Sequence, residues 1–276
     1  MPPKVYVTNY PAGDFRAMPA LGGGHALLKW VTSFPGNPLQ GLPTVSGVVL
    51  LSDAETGQLR AVLDAAAVTA LRTGAAAVLA AETLGRSDAK TASVIGTGVN
   101  GQAAARTFLA RGMPVVLWDV NGGRAQHVAT ELDTEIASSL EEALDADLIV
   151  TMTPGHSVLL TEGSLRAGQH VSLMGADGPG KAEAAGSELA RAQLFCDDWE
   201  QASHGGELAH AVEDGIVTRD HVTMLGDVLA GTATGRAGDD EITAFDSTGL
   251  AIQDLAIALA AVEAVGDLPD LPRLEL

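Results

Sequence analysis

The run Gly96-Thr97-Gly98-Val99-Asn100-Gly101 constrains the fold of this chain more than any other feature. It directly follows the apolar run ASVI and opens the helical run QAAARTFLARG. A strand that turns on three glycines into a helix is the context in which this spacing marks a dinucleotide-binding turn rather than a ligand-free loop. Gly96 permits the tight turn, Gly98 lets the backbone approach a pyrophosphate, and Gly101 allows close packing of the helix. Val99 and Asn100 complete the turn, and the helix N-terminus favours the negative charge.

The rhythm around this turn agrees with it. The short apolar runs SVIG, VVLWD, DLIVTM, HVSLMG and LFCDD alternate with helical patterns, and DEITAFDS supplies a last strand. Such alternation implies parallel βαβ units, a doubly wound α/β Rossmann sheet. Ser139-Leu140-Glu141-Glu142 reads as a capping box and supports the phase. Asp119 ends VVLWD, where an acid accepts hydrogen bonds from the adenosine ribose and repels a 2′-phosphate. NAD(H) is therefore expected ahead of NADP(H). Arg124 in the following loop can soften that discrimination, and capping of the next helix is the alternative role for Asp119.

The first sixty-odd residues read differently. FRAMPAL, HALLKWVTSF, VSGVVLLSD and LRAVLD are short β-rich runs, with Asp53 to Gly57 as a hairpin loop, so an antiparallel sheet is expected. Asp64 stands at the N-cap of the Ala-rich helix AAAVTALRTGAAAVLAAETLG, which Gly85 closes. The apolar run TGLAIQDLAIALAAVEAVG is expected to pack back on this first part. The sequence thus predicts a first domain of residues 1–85 with 248–276, and a dinucleotide-binding domain of residues 86–247.

Composition narrows the partners. Sixteen Lys and Arg against thirty-five Asp and Glu give a formal charge of −19, which repels nucleic-acid phosphates and anionic membrane surfaces. The single cysteine, Cys196, lies in an apolar run and reads as a core residue; no metal site is expected. The opening MPPKVYVTNY has no charged segment followed by an apolar one, so a cytoplasmic location is expected. Gly175 to Lys181 fits the spacing of a phosphate loop. Ala182 stands where a magnesium-holding hydroxyl belongs, however, and Pro179 removes a backbone N–H from the cradle.

Three polar residues are hard to explain structurally. Lys29 interrupts the apolar strand ALLKWVTSF and is one of only four lysines, Arg72 sits in the Ala-rich helix, and Asp177 lies on a Gly-rich loop after a strand. Each alone also suits a solvated or ion-paired side chain. Beside a dinucleotide fold, the three suggest a substrate-carboxylate site with a general acid/base.

At these residues the sequence resembles the ornithine cyclodeaminase/mu-crystallin family. The similarity runs in order through FPGNPLQGLPTVSGVVLLSDAETG, TALRTGAA, IGTGVNG, MGADGPGKAE, CDDWEQA and DDEITAFDSTGLAIQDLA. The resemblance implies an N-terminal antiparallel domain that dimerises, joined to a Rossmann domain. It implies that Lys29 and Arg72 contact the substrate carboxylate, that Asp177 is the catalytic acid/base, and that Lys29 shares in the catalytic group. Thr44, Thr151, Lys181 and Ser247 would face the cofactor, and Thr248 the substrate. Lys4, a further substrate contact by the same resemblance, stands where the family often has Arg, and Asn100-Gly101 replaces a more usual Gln-Ala. The implied activity is NAD-dependent hydride transfer at the α-carbon of a small L-amino acid or its imine, by a homodimer. Ornithine cyclodeamination, which gives L-proline and ammonia, and NAD(P)H binding without turnover are the alternatives.

Overall fold

The computed structural model describes residues 4–9, 11–176, 178 and 180–266. Five antiparallel strands, β1 (Val5–Asn9), β2 (Gly13–Gly22), β3 (His25–Ser33), β4 (Val45–Asp53) and β5 (Leu59–Asp64), pair in sequence order. Alternation along β3 and β4 turns Leu27, Lys29, Val31, Val49 and Leu51 inward. The C-terminal helix Ala251–Val265 covers that face with Ala251, Leu255 and Ala258, as the sequence predicts. The register aligns Met18, Lys29 and Val49 across three strands, so Lys29 lies within an apolar row. The opposite face presents Leu28, Trp30, Val48 and Val62, all partly exposed. Strand β1 was not expected, because VYVTN is exposed throughout and lacks the half-buried alternation that marks a strand.

The Asp53 carboxylate accepts the Glu55 and Thr56 N–H groups and so closes the β4–β5 hairpin. Asp64 accepts the Ala66 and Ala67 N–H groups and starts helix α1 (Ala65–Leu84), which is the expected cap. By length and composition alone α1 is apolar enough to cross a membrane, but half of its most apolar window is buried.

The chain divides into compact units of residues 1–72 with 250–276 and 73–249. The division expected at 85/86 is therefore found instead between Arg72 and Thr73, inside α1. The reason is the helix's own second half, where Ala76, Ala77, Ala80, Ala81 and Leu84 are buried in one core with Val94, Phe108, Leu117 and Phe245.

The second unit is built on β6 (Ala92–Ile95), β7 (Val115–Trp118), β8 (Glu135–Ile136), β9 (Leu148–Thr151), β10 (His170–Leu173), β11 (Gln193–Cys196), β12 (Val222–Met224) and β13 (Thr243–Asp246). They form one parallel sheet in the order β12-β11-β13-β10-β9-β6-β7-β8. Strands β8 and β12 are too short to leave an apolar run in the sequence. The strand order reverses between β6 and β9, where an open parallel sheet places its ligand crevice. Helices α2 (Val99–Ala110) and α3 (Gly122–Leu132) follow β6 and β7. Ser139 caps its short helix through the Glu142 N–H, but Glu142 turns to Ser138, so only half of the box forms. Cys196 is buried and burial pushes its thiol above the ordinary range, which is the core role expected of it.

Gly74 tests how closely α1 and α2 approach. A Cβ there would lie 2.6 Å from the Ala103 carbonyl carbon and 2.7 Å from the Ala104 nitrogen, both backbone atoms. Gly74→Ala should lower stability to urea by about 1–3 kcal/mol. A gain of about 1 kcal/mol, which helix propensity alone would give, would show that the two helices part freely.

Candidate functional site

The three glycines of the dinucleotide turn have three different physical reasons. Gly96 has φ +99°, and a Cβ there would lie 2.6 Å from the Met152 carbonyl oxygen. A Cβ on Gly101 would collide with the Gly96 carbonyl oxygen, so the turn closes only over a glycine. Gly98 is the N-cap of α2 and faces open space, with no side chain capping the helix. Val99 and Asn100 form the first residues of α2. An uncapped helix start with room in front of it fits a pyrophosphate.

Asp119 follows β7 beside this turn. One of its oxygens, Oδ2, accepts the Thr97 N–H at 2.7 Å and the Thr97 hydroxyl at 3.0 Å, and Oδ1 accepts the Asn121 N–H at 2.8 Å. The Arg124 guanidinium donates to both oxygens, with Nη2 2.8 Å from each. Burial pushes the Asp119 carboxyl up, but the donors from Arg124, Thr97 and Asn121 outweigh it and hold the carboxyl below its ordinary value. The cap of α3 is Asn121, whose side chain accepts the Arg124 N–H, and not Asp119, which holds the N–H of that cap residue.

The other predicted residues of this unit are held by carboxylates that sequence reasoning missed. The Thr151 hydroxyl donates to Glu183 at 2.6 Å. Glu183 also accepts the Thr153 N–H and hydroxyl and the Gly175 N–H, and so joins the loops after β9 and β10. Lys181 lies against the first of these loops, where a Cβ on Gly155 would be 3.0 Å from the Lys181 Cβ. The Ser247 and Thr248 hydroxyls both donate to Asp197, which also accepts the Thr248 and Gly249 N–H groups. The signal for Asp197 was its place at the C-terminal end of a predicted strand. Glu183 gave none, since a glutamate after a glycine loop looks like a surface residue. Asp177 lies outside the described residues.

In the first unit the structure brings Lys29 and Arg72 together around a third residue. Lys29 Nζ donates to Asp254 Oδ1 at 2.7 Å and to the Thr69 hydroxyl at 3.3 Å. Arg72 Nε lies 3.6 Å from the same Asp254 oxygen, and Arg72 Nη1 donates to Gln253 at 3.4 Å. Burial and then the Arg72 charge pull the Lys29 ammonium down to about 8, against the raising effect of Asp254. Lys4 adds a smaller downward push, so it lies within electrostatic reach of Lys29. Thr44 stands apart from this group, just ahead of β4, with its carbonyl accepting the Phe34 N–H. Among the described residues no group of His, Cys, Asp and Glu is placed to hold a metal ion.

Comparison with known proteins gives a consistent result. The ornithine cyclodeaminase/mu-crystallin family matches residues 1–267. The alanine dehydrogenase of Archaeoglobus fulgidus is 43% identical over 272 residues, covering 95% of this chain and 84% of that protein. The iminosuccinate reductase of Paracoccus denitrificans is 35% identical over 237 residues, covering 83% of this chain and 74% of that protein. Among solved structures, an archaeal alanine dehydrogenase dimer with bound NAD superposes with a TM-score of 0.94 at 40% identity, covering 100% of this chain and 88% of that one. The Delta(1)-pyrroline-2-carboxylate reductase of Thermococcus litoralis, in complex with NADH and L-proline, gives 0.88 at 28% identity, covering 96% and 86%.

The buried carboxyls of the second unit carry a pH signature. Burial pushes Glu207 up to about 8, and the charge of Glu183 adds to it, against the Ala184 and Glu183 N–H groups that Glu207 accepts. An unfolded glutamate titrates near about 4.3, so between these values the folded protein holds the extra proton and stability falls as pH rises. His170, which burial pulls down to about 3, acts in the opposite sense, at pH values below its unfolded range. Above about pH 6.5 that contribution is spent, and the melting temperature should fall as pH rises towards about 8. Glu207→Gln should flatten this slope in a thermal-shift series; equal slopes would remove Glu207 as its source.

Proposed function

Because the chain belongs to the ornithine cyclodeaminase/mu-crystallin family, we propose that it transfers hydride between NAD(H) and the α-carbon of a small L-amino acid or its imine. The observation that carries this reading is the cation pair of the first unit. Lys29 and Arg72 share one buried carboxylate, which leaves one positive charge to be matched by an anion. A guanidinium and an ammonium side by side suit a carboxylate, the group common to amino, imino and 2-oxo acids. The second unit contributes the glycine turn, the open α2 start and Asp119, a set that favours NAD(H). Relatives bearing out this chemistry are the alanine dehydrogenase, the iminosuccinate reductase and the pyrroline-2-carboxylate reductase.

The glycine turn, the start of α2 and Asp119 would hold NAD(H), which when bound would supply the hydride acceptor in oxidation and the hydride donor in reduction. Lys29 and Arg72 fix the carboxylate and thereby orient the α-carbon. Asp177 accepts a proton from the substrate ammonium or from the water that adds to the imine, and in reduction it supplies one. Water addition to the imine releases ammonia and leaves a 2-oxo acid.

Absorbance at 340 nm, followed with 2-oxo acids plus ammonia, with cyclic imines and with L-amino acids, tests the reading. NADH should be consumed with a small 2-oxo acid plus ammonia or with an imine. Conversion of L-ornithine to L-proline without net NADH change would replace it with cyclodeamination, and binding without turnover would replace it with a carrier role. Arg72→Lys keeps the charge and loses the planar fork, so kcat/KM should fall roughly ten- to a hundredfold.

The outer face of the first sheet supports a homodimer. Leu28, Trp30, Val48 and Val62 form an exposed apolar face on a chain that is otherwise strongly acidic. Faces of this kind mark contact with a protein partner, and a second copy of the same sheet offers a matching one. Light scattering should give about twice the 28.1 kDa chain mass. Trp30→Asp should shift the protein towards monomer; an unchanged mass would place the contact elsewhere.

A further inference from the structure

We infer that Asp254 is a positioning residue of the carboxylate anchor: from the C-terminal helix it orders Lys29 and Arg72 as adjacent cations, with one positive charge left over for the substrate. The inference rests on the amino- and imino-acid reading given above and names the residue on which the anchor depends.

Asp254 is wholly buried, beside Gln253 in a helix whose neighbouring residues are otherwise apolar. A carboxylate in the first turn of a helix gains from the helix dipole, but that role needs neither full burial nor a partner. Here a single oxygen, Oδ1, lies 2.7 Å from Lys29 Nζ and 3.6 Å from Arg72 Nε. The other oxygen, Oδ2, has no hydrogen-bond partner among the described residues, and neither has Arg72 Nε. Gln253, the preceding residue of the same helix, accepts from Arg72 Nη1 at 3.4 Å and from the Leu250 N–H at 3.2 Å. One turn of helix therefore meets both cations and leaves donors of Arg72 uncommitted. A group of two cations and one anion, buried to this degree, is unfavourable until a second anion joins it.

The charged groups that face Lys29 are Asp254 on the C-terminal helix, Arg72 on α1 and Lys4 ahead of β1. Its cross-strand neighbours Met18 and Val49 carry no charge. Of these groups only Asp254 favours the charged amine; burial, Arg72 and Lys4 all oppose it. Without Asp254 none of these charged groups offsets burial, and the Thr69 hydroxyl, 3.3 Å away, is the one hydrogen-bond acceptor left to Lys29 among the described residues. Lys29 then gives up its proton at lower pH, and the anchor is reduced from two cations to one.

The chain has four lysines, so the Lys29 resonance in a protein carrying ¹³C at lysine Cε can be assigned by comparison with Lys29→Arg. In Asp254→Asn the Lys29 titration midpoint should fall by about one pH unit or more. In the same preparation NADH binding, read by fluorescence, should be unchanged. The KM for the substrate acid at neutral pH should rise about tenfold or more with little change in kcat, and should recover in mildly acid solution. An unchanged Lys29 midpoint would overturn the inference, as would a lowered midpoint with an unchanged KM. Should Asp254→Asn fail to fold, Asp254→Glu decides. It keeps the charge but displaces it, so the Lys29 resonance and the KM should both move, and wild-type values of both would overturn the inference. If the unmodified protein turns over no amino, imino or 2-oxo acid, the functional reading fails, while the lysine titration still decides whether Asp254 governs Lys29.

Discussion

A lysine on the inward face of a sheet has to be neutralised or paired, and in this chain the pairing is with one carboxylate on the last helix. Lys29 occupies a register row with Met18, Val49 and Leu63, and its ammonium ends 2.7 Å from Asp254. That contact does two things for the first unit. It makes the inward face compatible with a charge, and it gives the C-terminal helix a polar point of attachment within an apolar contact made by Ala251, Leu255 and Ala258. The position of the helix on the sheet and the readiness of the cation pair are therefore one property. Loss of a single partner from such a pair is costly because it leaves the other charge buried and alone.

The second unit uses carboxylates in a different way. Glu183, Glu207 and Asp197 accept mainly backbone N–H and hydroxyl donors, from residues in the loops that follow parallel strands. Each acid ties together segments distant in sequence, and so fixes loops that no regular hydrogen-bond ladder can hold. Burial raises Glu183 and Glu207 above their ordinary values, so each is more readily held in its neutral form, which costs less to bury than the charged one. Asp119 differs in having the Arg124 guanidinium across it, and its carboxyl stays low.

Much of this was legible in the sequence because it rests on local chemistry. The glycine spacing required a particular turn, Asp64 had the position of a helix cap, and the apolar run ALLKWVTSF marked Lys29 as a misfit; the cap of α3, for which Asp119 was the candidate, is Asn121. Resemblance to the family added Thr151, Ser247 and Thr248, whose partners the structure then supplied. What stayed hidden depends on partners remote in sequence. Asp254 reads as an ordinary polar residue of an amphipathic helix until its neighbour, 225 residues away, is known. Glu183 and Glu207 carry no periodic signal at all. The boundary within α1 was hidden because one uninterrupted Ala-rich pattern serves two cores, and composition does not change where the packing does.

The distance along the chain between Lys29 and Asp254 also sets an order of events during synthesis. The first unit takes in the strands before residue 72 but is closed by the helix Ala251–Val265, which is made after the whole of the second unit. At about 5–20 residues per second, the 225 residues between the two partners take roughly ten to forty-five seconds to emerge from a ribosome. Throughout that interval the sheet has a lysine on its inner face and no carboxylate to meet it, while the parallel sheet between the two ends is already available to fold. Completion of the first unit is therefore delayed until the helix Ala251–Val265 has emerged, and the nascent protein depends on that helix to cover apolar strands made long before it.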